Sequence, residues 1–130
     1  MERAFLVIFL LFFMPGIAGA QNNKTADKKF WTVNAFLVGS TIYDVESTYF
    51  TLNKCGTCQE SNFFMKPFVN AGRPAIYAIQ GSIDAGVVYA SYKVKKGSGK
   101  FKKVWWFVPV AMTAGHFVAG TYNVRITIRF

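Results

Sequence analysis

Hydrophobic residues gather into four runs along the chain, with polar or basic stretches between them. The first, residues 4–13, follows Arg3 and is interrupted by Pro15-Gly16 before the small residues Ala18-Gly19-Ala20. A basic start, a short apolar core and an A-x-A sequence are the layout of a secretory signal peptide, so residues 1–20 are expected to be removed. Residues 21–29 read as a polar, exposed tail. The second run, 30–52, holds about 23 residues and would extend roughly 34 Å as a helix, enough to cross a bilayer with some tilt. Runs at 74–92 and about 104–124 have the same scale. Pro74 suits a first helical turn, and Phe30-Trp31, Tyr49-Phe50 and Trp105-Trp106 are placed like interfacial aromatics. The pattern predicts an all-α fold, a three-helix transmembrane bundle in which residues 30–130 form one domain.

Composition points the same way. Of 130 residues, 52% are apolar, 18% aromatic and 16% charged, whereas a water-soluble domain carries about 25% charged residues. The expectation is a multi-pass membrane protein of a bacterial inner membrane, with the lipid bilayer as its main partner. The net charge is +9, but the basic residues sit beside and between the apolar runs, above all in the polybasic loop KVKKGSGKFKK. They read as headgroup anchors, and no nucleic-acid partner is expected, since no RNA-binding motif or phosphate-binding glycine loop is present. Orientation is contested: a cleaved signal peptide puts the polybasic loop outside, and the positive-inside rule puts it inside. Gly81, Ser82, Ala85 and Gly86 offer a small-residue surface suited to close helix packing, hence to a homo-oligomer or a larger membrane complex.

Within these runs lie polar residues that hydrocarbon penalises. Asp44 and Glu46 fall well inside the second run; two residues apart on a helix, they point to nearly opposite sides. Counting helical rise from the run ends puts Asp44 and His116, the sole histidine, each about 12 Å deep, and Gln80 and Asp84 roughly 9 and 15 Å deep. Polar groups on three helices thus share one level. Thr41 and Thr48 flank Asp44 on its face, and Thr113 and Asn123 flank His116 on its own. The intervening segment, 53–73, is rich in Phe and interrupted by Gly56, Pro67 and Gly72, and is expected to fold back against the bundle.

Two readings follow. In one, Asp44, Thr48, Glu60, Asn62, Gln80, Asp84, His116 and Asn123 form a buried polar cluster that bonds helices together in a structural or accessory protein. In the other, Asp44, Glu60 and His116 form a catalytic or divalent-metal site in a membrane-embedded, hydrolase-like protein. Whether the chain is an enzyme is open at this stage. Cys55-Gly56-Thr57-Cys58 is a C-x-x-C that fits a local disulfide, a thiol pair or half a metal site.

The run Asp44-Val45-Glu46-Ser47-Thr48, followed by Glu60-Ser61-Asn62 and by His116 and Asn123, resembles a family of small prokaryotic multi-pass membrane proteins of unknown function. That family's pattern is Asp-x-x-(Ser/Thr)-Thr, then Glu-x-Asn-Pro after a Gly-containing turn, then a late His and Asn. Phe63 stands here where the family has proline, and the C-x-x-C occupies its turn region. The resemblance implies a fold type and a shared polar set, and no activity.

Overall fold

The computed structural model describes residues 25–129, so the expected signal peptide lies outside the described residues. Those residues are helical, with no strand among them. The helices are α1 (Lys28–Lys54), the short α2 (Lys66–Asn70), α3 (Arg73–Lys96) and α4 (Phe107–Thr127), with a 3-10 turn at Lys100–Val104 before α4.

Local chemistry sets the helix ends. Asp27 caps α1 by accepting from the Phe30 backbone N–H at 2.9 Å, the bond that an N-terminal aspartate provides best. The stretch expected as a polar tail therefore ends in the first turn of α1, with Ala26 buried. Pro67 and Pro74 sit in the first turns of α2 and α3, where a missing N–H costs nothing. Gly72 joins those helices at φ +98°, a conformation that a side chain would strain. Lys93, Lys95 and Lys96 occupy the last turn of α3, where positive charge complements the helix dipole.

Contacts give the topology. Asp44 meets His116 and Thr51 meets Thr127, so α1 and α4 run parallel. Glu46 meets Tyr77, and Asp27 meets Lys95, so α3 runs antiparallel to α1. α1 and α4 form the closest pair; α3 touches both more sparingly. Val45, Val69 and Ile76 make a small apolar core where α2 and α3 close against the end of α1.

The membrane expectation is overturned here. α1, α3 and α4 have 27, 24 and 21 residues, yet among the described residues no helix is both long and apolar enough to cross a membrane. Polar residues are spaced all along each helix: Asn34, Ser40, Thr41, Asp44, Ser47 and Thr51 in α1, Gln80 and Asp84 in α3, His116 and Asn123 in α4. The three-helix transmembrane bundle is corrected to an all-helical fold without spanning helices. The multi-pass description and the inner-membrane location rested on the same spans and go with them.

Polar side chains fill the interhelical contacts, and large apolar ones such as Phe36, Phe107, Val118 and Tyr122 lie outside. The small-residue surface expected on α3 also faces outward: Ser82, Ala85 and Gly86 are exposed, and a Cβ at Gly86 would meet nothing within 4 Å.

Candidate functional site

Thr41, Asp44, Thr48 and Thr51 recur every three or four residues, and Asn34 lies two turns before Thr41, which puts all five on one face of α1. Asp44, Thr48 and Thr51 of that stripe meet α4. At its centre His116 Nδ1 lies 2.8 Å from Asp44 Oδ2, with the two side chains only 13% and 16% exposed. A carboxylate only accepts hydrogen bonds, so the neutral ring carries its proton on Nδ1 and keeps a lone pair on Nε2. Among the described residues nothing else bonds the ring.

Further along the stripe, Asn123 Nδ2 donates to Thr48 Oγ1 at 2.9 Å and lies 3.3 Å from Ser47 Oγ. Thr51 Oγ1 lies 2.9 Å from the Asn123 carbonyl and 2.7 Å from Thr127 Oγ1. These bonds lock α1 to α4 and hold Asp44 against His116.

The dyad opens onto a cavity of about 500 Å³, within the usual range for small-molecule sites. Asp44, Thr48, Gln80, His116 and Asn123 line it from the three long helices, and Glu60 and Asn62 line it from the loop after α1. Seven of the eight residues of the expected cluster therefore face one space. Asp84 is the exception. It lies a turn beyond Gln80, buried and outside the lining, with Oδ1 unpartnered among the described residues. Burial pushes its carboxyl above the ordinary aspartate range; the Thr41 hydroxyl and the nearby His116 act in the opposite direction.

Side-chain bonds to the backbone shape the loop. Glu60 Oε1 accepts from the Asn62 N–H at 2.8 Å, and Asn62 Oδ1 accepts from the Phe64 N–H at 3.1 Å, two local turns of the kind acidic and amide side chains favour. Cys55 and Cys58 are joined in a disulfide at the root of this loop. On the far wall, Tyr49 donates to the Val69 carbonyl at 2.9 Å, and burial raises its phenol above the ordinary range.

The divalent-metal reading finds no support. Among the described residues no three of His, Cys, Asp and Glu stand close enough together to hold a metal ion. Asp44 and His116 bond each other, whereas Glu60 is engaged with its own loop. Glu46 is separate from the cavity, as its place on the helix implied: it accepts from the Tyr77 hydroxyl at 2.7 Å and pairs with Arg73 at 3.3 Å.

Sequence reading passed over Thr51, Thr127 and Lys95. The period of the polar stripe would have found Thr51. Lys95 gave no such signal: read as a surface anchor, it is buried against Phe30 and Trp105 and paired with Asp27. Comparison of the chain with protein-family models, curated proteins and solved structures found no match.

Proposed function

We propose that the protein binds a small molecule in the cavity between α1, α3 and α4 and exchanges a proton with it through His116, with Asp44 orienting the ring. One observation carries the reading: a hydrogen-bonded carboxylate–imidazole pair stands at the wall of a cavity large enough for a ligand. Such a pair fixes the tautomer and directs the basic nitrogen, the arrangement used in general acid–base catalysis. A histidine serving only as a helix-to-helix bond would have no need of an adjoining space.

Because His116 is the only histidine, its reactivity can be read without ambiguity. Diethyl pyrocarbonate is expected to give a single histidine adduct on the folded protein. The Asp44→Asn variant is expected to react at least about tenfold more slowly, as the ring loses its fixed orientation. A ring that reacts only after denaturation would refute the proposal.

A further inference from the structure

The cavity is selective in its charge. The chain carries a net +9, yet among the described residues no lysine or arginine lines the cavity. Its charged lining consists of the carboxylates of Asp44 and Glu60, and its other titratable groups are His116, Tyr49 and Tyr122. Gln80 supplies an independent sign of a missing partner. It is 7% exposed and lines the cavity, and its amide nitrogen has only the Met65 sulfur at 3.9 Å. Among the described residues its amide oxygen accepts no hydrogen bond. That oxygen faces the cavity with its lone pairs free, so a ligand that brings donors can bond it. The rest of the wall is apolar, with Val45, Val69, Ile76, Ile83 and Met112.

We infer that the cavity takes a protonated amine attached to an apolar body. Its ammonium group is drawn by the carboxylates that line the cavity, Asp44 and Glu60, and its carbon skeleton lies on the aliphatic wall. An anion would meet two carboxylates and no cation. A neutral alcohol would satisfy Gln80 but gain no charge-assisted bond. The Tyr122 ring adds a face that attracts cations. This inference rests on the ligand-binding reading of the same cavity and specifies its ligand class.

Hexylammonium, hexan-1-ol and hexanoate, titrated separately into the full chain, test it by calorimetry. Hexylammonium is expected to bind at least about tenfold more tightly than either analogue. Glu60→Gln, on a loop outside the helix packing, is expected to weaken it about tenfold, and Gln80→Leu to weaken it as well. Equal or tighter binding of the alcohol or the carboxylate overturns the amine assignment while leaving a ligand-binding cavity. So does hexylammonium binding that both variants leave unchanged. If none of the three binds, the amine assignment fails; His116 reactivity in the same preparation then shows whether the proton-transfer reading fails with it.

Discussion

Gly120 of α4 lies directly under the ring of Tyr43 on α1: a Cβ there would stand 2.5 Å from Tyr43 Cε1 and 3.3 Å from Asp44 Cα. A Cβ at Gly39, Gly86 or Gly115 would meet nothing within 4 Å, so the close approach is particular to Gly120, one helical turn from His116. The backbone contact at Gly120 therefore helps to set how near Asp44 can come to the imidazole.

Gly120→Ala must push the Tyr43 ring aside or separate the helices. Overpacking of this kind costs about 1–3 kcal/mol, and the loss is expected as a lowered midpoint in urea unfolding. Gly86→Ala, where the added Cβ meets nothing within 4 Å, is expected to be neutral or slightly stabilising through helix propensity. Equal effects at the two sites would refute the packing argument.

Thr51 holds the far end of the same helix pair. Its hydroxyl reaches the Ser47 and Asn123 carbonyls and the Thr127 hydroxyl at 2.8, 2.9 and 2.7 Å. Thr51→Val keeps the shape and removes the bonds, so a loss of about 1–2 kcal/mol is expected in thermal or urea unfolding. Thr51→Ser is expected to retain most of the stability.

Asp84 predicts a pH dependence. Burial makes its folded carboxyl titrate above the ordinary aspartate range, so as pH rises the unfolded chain releases this proton first. The contribution of Asp84 to stability is then complete below about pH 4 and is lost as pH rises through the folded value. Asp84→Asn removes the ionisation. Its unfolding midpoint is expected to exceed that of the wild type at neutral pH, with the difference closing as pH falls toward about 4. A difference that grows toward acid pH would contradict this.

Asp27 works in the opposite sense. Its hydrogen bond to Lys95 and the Phe30 N–H hold its carboxyl below the ordinary range. Its contribution is present above the unfolded value and fades as pH falls through the folded one. Lys95→Met removes that pairing and the cation over Trp105, 4.5 Å from the ring centroid. A loss of about 1–2 kcal/mol at neutral pH is expected, together with a weaker acid-induced decline near pH 4, both measured by urea unfolding across a pH series.

Much of the helical layout was legible because helical rise and apolar runs are local properties. Counting 1.5 Å per residue put Asp44, Gln80 and His116 at one level, and in the structure they line one cavity. What misled was the weight given to the runs. Thr41 and Thr48 read only as flanks of Asp44, and Asn34 and Thr51 were passed over, though Thr41, Asp44, Thr48 and Thr51 recur at helical spacing as one polar face. The disulfide between Cys55 and Cys58 was one of several readings its C-x-x-C allowed, whereas the burial of Lys95 had no local signature, because it depends on Trp105 and Asp27, which lie far from one another in the chain.

The parallel pairing of α1 with α4 has a consequence in time. Asp44 and His116 are 72 positions apart in sequence, and α3 must run out and back before α4 can lie beside α1. Contacts of that separation carry a large loop-closure cost and form late. During synthesis, Asp44 is made long before its partner, and the dyad cannot exist until α4 has left the ribosome. A chain truncated after α3 would retain Asp44, Glu60 and Gln80 with no imidazole for the carboxylate to orient. The chemistry proposed for this protein therefore waits on α4.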